Sequence, residues 1–147
     1  MNYVIKFALA IFASILVFTT SVNAGGHYTG PDLSGQKVTI SGPWLAPEDG
    51  YMREIASIFE KATGATVEYG GSDSFEQQIV IDIKAGSPAD IAIFPQPGLA
   101  ADMAAMGGLS PLSSDVKQAV MDNYAAGQSW VDLATYPDQN GNDQFYA

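Results

Sequence analysis

The sequence contains no cysteine, a single histidine, and only six lysines and arginines against sixteen aspartates and glutamates. Without thiols no disulfide can form, so stability has to come from burial alone, and thiolate zinc sites are excluded. A formal charge of −10 suits neither nucleic acid nor an anionic membrane face, since both attract clustered cations. Glycine-rich phosphate loops, nucleophile elbows and zinc-binding spacings are also missing, so no cofactor or metal is expected. His27 has no evident partner and is assigned no role. Charge is sparse overall, at 15% of residues, while apolar residues reach 47%, a balance that describes a globular chain rather than a disordered one. At 147 residues the length prior is one domain.

Long hydrophobic runs are nearly absent too. The exception is Ala8 to Phe18, preceded by Lys6 and followed by Val22-Asn23-Ala24. A membrane span needs about 20 apolar residues, and Thr19-Thr20-Ser21 interrupts this one. A basic start, a short apolar centre and a small-residue end describe a signal peptide over residues 1–24, cleaved after Ala24. Residues 25–36 then form a flexible new N-terminus. An exported lipoprotein needs a cysteine at its processing site, so the expected product is a soluble protein released behind an outer membrane, in the periplasm, with no membrane insertion after cleavage. Full secretion into the medium is the alternative.

From Lys37 the chain alternates strand-like and helix-like segments. Lys37 to Ser41 is short and β-branched, Gly42 to Ala46 is a loop, and Pro47 suits a first helical position ahead of Glu48 and Asp49. Met52, Ile55, Ala56, Phe59 and Ala62 fall at the spacing of one buried helix face, and Gly64 is a stop. Thr66 to Tyr69 is a second strand. A helix follows from about Ser74, with Asp73 or Ser74 as cap, Glu76 or Gln77 closing a capping box, and Phe75, Ile79 and Ile83 as its stripe. Ile91 to Phe94 is continuously apolar, as in a central strand covered on both faces. Leu99 to Met106 and Ser114 to Ala126 are further helices, the second with Val116, Val120 and Tyr124 as its stripe; from Gln128 the pattern loosens.

Strand-helix-strand-helix-strand implies an α/β fold with a mostly parallel sheet and right-handed crossovers. All three strands then send their following loops to one sheet edge, the place where open α/β sheets hold ligands. Those loops carry Trp44, then Ser72 and Asp73, then Phe94 and Gln96. Aromatic rings stack on the apolar faces of a sugar ring, and carboxylate, hydroxyl and amide groups exchange hydrogen bonds with its hydroxyls. Each residue also has a plainer role: Trp44 packs under its loop, Asp73 caps a helix, Phe94 and Tyr69 fill core or rim, and Trp130 packs in the core. Glu76, Asp82 and Asp90 do not face one another across a bond as glycosidase carboxylates must. Asp138 to Asp143 lacks the sixth-position glycine and distal glutamate of a calcium loop and reads as a polar turn.

Val38-Thr39-Ile40-Ser41-Gly42-Pro43-Trp44, Phe59-Glu60-Lys61-Ala62-Thr63-Gly64 and Val67-Glu68-Tyr69 resemble the start of a family 1 extracellular solute-binding protein, the maltose-binding-like group. Gly71-Ser72-Asp73-Ser74-Phe75-Glu76-Gln77-Gln78-Ile79 and Ala92-Ile93-Phe94-Pro95-Gln96-Pro97-Gly98 resemble its α-glucoside-binding branch more specifically. The resemblance implies a type II periplasmic-binding-protein-like fold, with residues 37–147 as the N-terminal part of its first lobe and the second lobe absent. It further implies a non-enzymatic component of an ABC sugar importer, which captures an α-glucoside or related oligosaccharide and delivers it to permease subunits. The alternatives are a truncated fragment without transport activity and, more remotely, part of a secreted glycoside hydrolase.

Overall fold

The computed structural model describes residues 28–147, so the expected signal peptide lies outside the described residues. Strand β1 (Lys37–Gly42) lies at the centre of a three-stranded parallel sheet. On one side it pairs with β2 (Thr66–Gly71), from Lys37 opposite Thr66 to Gly42 opposite Gly71. On the other it pairs with β3 (Ile91–Ala92), Ile40 opposite Ile91 and Ser41 opposite Ala92. The expected central strand over Ile91 to Phe94 is therefore corrected. Only two of its residues pair, it is the sheet's edge, and Ile91 is 49% exposed. A continuous apolar run says that a segment wants covering on both faces, but not which strand has two neighbours.

Helix α1 (Asp49–Thr63) begins two residues after Pro47, beyond a turn in which Gly50 N–H donates to the Pro47 carbonyl (3.0 Å). Gly64 ends it in the left-handed conformation (φ 78°), its N–H returning to the Glu60 carbonyl at 2.8 Å. Of the expected buried face only Met52 and Ala56 are half-buried, while Ile55 (60%), Phe59 (39%) and Ala62 are exposed, and Thr63 is the helix's buried residue. Thr63 turns its hydroxyl back onto the Phe59 carbonyl (2.8 Å), and Glu60 Oε1 accepts from Val67 N–H (2.7 Å), fastening helix to strand. Ahead of the sheet, Leu33 N–H donates to the Thr63 carbonyl (2.7 Å) and Thr66 N–H to the Gln36 carbonyl (2.9 Å).

Helix α2 (Phe75–Ala85) buries Phe75 and Ile79 as its periodicity requires, with Ile83 half-buried. Its capping is simpler than expected. Ser74 stands at the N-cap but its side chain makes no capping bond. The Ser72 hydroxyl instead accepts from Ser74 N–H at 3.1 Å. Helix α3 (Pro97–Ala105) starts two residues before the expected Leu99, with proline in the first turn where its missing N–H costs nothing. Gly108 follows closely enough that a side chain there would lie 2.6 Å from Ile83 Cγ2.

The helix expected from Ser114 to Ala126 ends three residues early, and a separate helix lies beyond it. Helix α4 (Ser114–Asn123) stops at Tyr124, whose backbone is extended, and helix α5 (Gly127–Leu133) begins after Ala126, which is left-handed (φ 58°). Gly127 is pressed against α4: a β-carbon there would stand 2.7 Å from Met121 Cα, so the chain turns back closely across that helix. Past Gln128, where the sequence pattern loosens, come the end of α5 and an antiparallel hairpin of β4 (Thr135–Pro137) and β5 (Asp143–Phe145). Val131, Ala134 and Phe145 form a small core against Val120. Trp130 is not part of it; 53% exposed, it meets Tyr124 edge-on at 6.2 Å. The segment 138–142 is the polar turn expected, with Asp138 Oδ1 accepting from the N–H groups of Asn140 (2.8 Å) and Asn142 (2.9 Å).

Asp90 fastens the far end of the sheet. Its Oδ2 accepts from Thr39 N–H (2.8 Å) and Thr39 Oγ1–H (2.7 Å), while Asp90 N–H donates back to Thr39 Oγ1 (3.0 Å). The two bonds from Thr39 to the ionised carboxylate hold the pKa of Asp90 below its ordinary 3.8. A depressed carboxylate contributes stability that is complete above the unfolded-state value and is lost as pH falls through the folded one. Stability should therefore decline on acidification below about pH 3.8, and Asp90→Asn should make that decline shallower, with Asp32 and Asp138, also depressed, supplying the remainder. Urea midpoints at neutral pH and at pH 3 test this; equal losses in both proteins would remove Asp90 from the explanation.

Candidate functional site

The parallel register brings the three loops to one end of the sheet, with the β1 loop in the middle. Ser72 extends the β1–β2 ladder by one bond, its N–H donating to the Gly42 carbonyl at 3.0 Å. Trp44, 40% exposed, is held by its backbone. Its N–H donates to the Tyr69 hydroxyl (2.9 Å), and that hydroxyl donates to the Trp44 carbonyl (3.1 Å). One phenol thus straps the central loop to β2 and leaves the indole partly open.

The third loop is joined to the second by an aromatic pair. Phe75, directly after Asp73 and Ser74, meets Phe94 edge-to-face with centroids 5.8 Å apart and rings at 71°. Phe94 is half-buried by this contact, and the Pro95 and Gln96 that follow are exposed. Gln96 has the extended backbone (φ −137°, ψ 134°) its flanking prolines suggest, and its side chain makes no capping bond to α3. Asp73 is exposed; its Oδ1 accepts from the Ser74 hydroxyl at 3.1 Å and does not cap α2. Trp44, Ser72, Asp73, Phe94 and Gln96 therefore share one end of the sheet, two as rings and three as hydrogen-bonding groups.

Three contributors escaped the sequence pattern. Tyr69 carries the strap. Tyr51 and Glu48 join Trp44, Met52 and Ile55 around a shallow pocket of about 300 Å³ on the α1 side of the central loop. The start of α1, directly after the Trp44 loop, is the signal that could have pointed to them. The carboxylates considered for hydrolysis are dispersed. Asp82 Oδ1 accepts from Gln78 Nε2 (2.6 Å) along α2, and Asp90 is engaged with Thr39 at the opposite end of the sheet.

A parallel α/β sheet whose loops gather aromatic, amide and carboxylate groups at the carboxyl ends of its strands is the framework of a small-molecule receptor lobe. The sequence pattern of the bacterial extracellular solute-binding proteins matches residues 42–141, and the chain belongs to that family. It is 52% identical over 118 residues to the alpha-glucosides-binding periplasmic protein AglE of Rhizobium meliloti (strain 1021), covering 80% of this chain and 26% of that protein. It is 34% identical over 124 residues to the osmoprotective compounds-binding protein GgtB of Synechocystis sp. (strain ATCC 27184 / PCC 6803 / Kazusa), covering 84% and 28%. A solved structure described as CpMnBP1 with mannotriose bound shares the fold, with a TM-score of 0.51 and 18% identity over 70% of this chain and 26% of that one. The chain thus spans about a quarter of the length of the curated relatives it matches.

Proposed function

We propose that this sequence serves as the N-terminal part of the first lobe of a periplasmic receptor for an α-glucoside or related oligosaccharide, the substrate-binding component of an ABC importer. The observation that carries the proposal is the gathering of Trp44, Ser72, Asp73, Phe94 and Gln96 at one sheet end, in a chain 52% identical to an alpha-glucosides-binding protein. In this mechanism Trp44 and Phe94 stack against the apolar faces of the sugar, and Ser72, Asp73 and Gln96 bond its hydroxyls. The bound sugar then passes to permease subunits. Capture is non-covalent and no bond in the ligand is broken, in keeping with the separation of Glu76, Asp82 and Asp90. Export follows from the signal peptide expected over residues 1–24.

One wall of a cleft does not enclose a ligand, so the test uses a chimera in which this chain continues into the remainder of the Rhizobium meliloti relative. Calorimetry should show maltose binding and much weaker binding of the β-linked cellobiose. Trp44→Ala and Gln96→Ala should each weaken maltose binding at least tenfold. Unchanged affinity in both variants would sink the site; equal affinity for the two disaccharides would sink the α-glucoside assignment.

A further inference from the structure

The shallow pocket beside the central loop has walls that sugar capture by the loop cluster does not use. Glu48, Tyr51, Met52 and Ile55 fall at the three-and-four spacing of one face at the start of α1, and Trp44 closes the pocket from the loop side. These walls are held in place by the backbone. Asp49 N–H donates to the Leu45 carbonyl (3.1 Å), Tyr51 N–H to the Glu48 carbonyl (3.2 Å), and the Tyr69 hydroxyl grips both main-chain groups of Trp44. Trp44 is the one residue common to the pocket and to the loop cluster, so a ligand seated against it can reach both.

What the pocket offers differs from what the cluster offers. The surface turned toward it is almost wholly apolar. A sugar ring placed there leaves its hydroxyls without protein partners. A flat apolar ring instead gains from burial and from offset or edge-on contact with two aromatic side chains. Tyr51 is available for that contact: it is 73% exposed and joins no ring pair among the described residues. At about 300 Å³ the pocket lies at the small end of ligand sites, with room for one ring rather than for an oligosaccharide.

We propose that this pocket is an aglycone subsite, taking the apolar ring of an aryl α-glucoside whose sugar lies in the loop cluster. Trp44 stands at the junction of the two, and Tyr51 sets the preference for an aromatic aglycone. The subsite rests on the α-glucoside reading above and narrows it, from the sugar to the group carried on the sugar's anomeric oxygen.

Calorimetry on the Rhizobium meliloti chimera tests it by comparing phenyl α-glucoside with methyl α-glucoside, which share the sugar and differ only in the aglycone. The phenyl compound should bind about tenfold more tightly, from burial and ring contact together. Tyr51→Ala should erase most of that ratio, and Tyr51→Phe should keep it, because the ring and not the hydroxyl carries the preference. Ile58→Ala, at a position 62% exposed on α1 and outside the pocket lining, should leave the ratio as it is. Equal affinity for the two glucosides, or a preference that survives Tyr51→Ala, overturns the subsite while maltose binding still stands. Tyr51→Ala weakening maltose as much as the phenyl glucoside also overturns it, in favour of a second sugar ring in the pocket. A chimera that binds neither maltose nor methyl α-glucoside marks the separate failure of the α-glucoside reading, and the subsite falls with it.

Discussion

Replacing Phe75 with alanine is expected to destabilise the chain by about 3–5 kcal/mol, the usual cost of deleting a buried aromatic ring. Phe75 is 3% exposed at the first turn of α2, beside the Ile79 that is 2% exposed, so the vacated volume is walled by residues with little room to collapse. It is also the only aromatic contact described between the second and third loops, through Phe94 at 5.8 Å. The expected result is a large fall in urea midpoint, with Phe75→Leu losing distinctly less. A double-mutant cycle with Phe94→Ala should show about 0.5–1.5 kcal/mol of coupling for the edge-on pair. Ile81→Ala, on an exposed turn of the same helix, should stay within about 0.5 kcal/mol. In the chimera, Phe75→Ala should weaken maltose binding beyond its effect on stability, because the Phe94–Gln96 loop loses its support. A loss of less than about 1 kcal/mol would mean that the α2 stripe is not the core element its burial indicates.

The parts of the fold legible in the sequence are those fixed by contacts close along the chain. The β-branched stretch from Lys37, the Phe75–Ile79–Ile83 stripe and the glycine stop at Gly64 each follow from a local period or a local backbone preference. Parallel topology then required the three loops to share a sheet end. Other features depended on partners far along the chain. Ile91 to Phe94 looks like a central strand because its composition is apolar, yet its place at the edge depends on which strand lies beyond it. The helix from Ser114 stops at Asn123, and the chain then turns so that Gly127 passes close to Met121, a crossing invisible in the spacing of Val116, Val120 and Tyr124. Trp130 stands half-exposed against Tyr124 rather than in the small core formed by Val131 and Phe145. At the site, residue types pointed to Trp44, Asp73 and Gln96, but the Tyr69 strap is a bond between a hydroxyl and a backbone 25 positions away.

That strap sets up a second large effect, at adjacent glycines with opposite expectations. A β-carbon on Gly71 would fall inside the van der Waals envelope of the Trp44 carbonyl oxygen and 3.0 Å from its carbonyl carbon, both backbone atoms that cannot rotate away. At Gly70 the nearest atom to such a carbon is the Ile40 carbonyl oxygen, at an unstrained 4.0 Å. Gly71→Ala should therefore cost about 1–3 kcal/mol as an overpacked contact. Gly70→Ala should be neutral or stabilising by up to about 1 kcal/mol, since alanine narrows the unfolded ensemble without native strain. The damage in Gly71→Ala should be local, driving the Trp44 backbone off the Tyr69 hydroxyl and turning the indole out of the loop cluster. With two tryptophans in the chain, the indole N–H signals report this directly: the Trp44 signal should move and the Trp130 signal should stay. Tyr69→Phe removes the same strap without the steric overlap and should shift the Trp44 signal at a cost of about 0.5–1.5 kcal/mol. Equal behaviour of the two glycine variants, or movement of both indole signals together, would show that the close approach of Gly71 to Trp44 does not position the central loop. If the signals separate as expected, Gly71 and Tyr69 join Trp44 as determinants of the site, acting through the position of its ring rather than by touching the ligand.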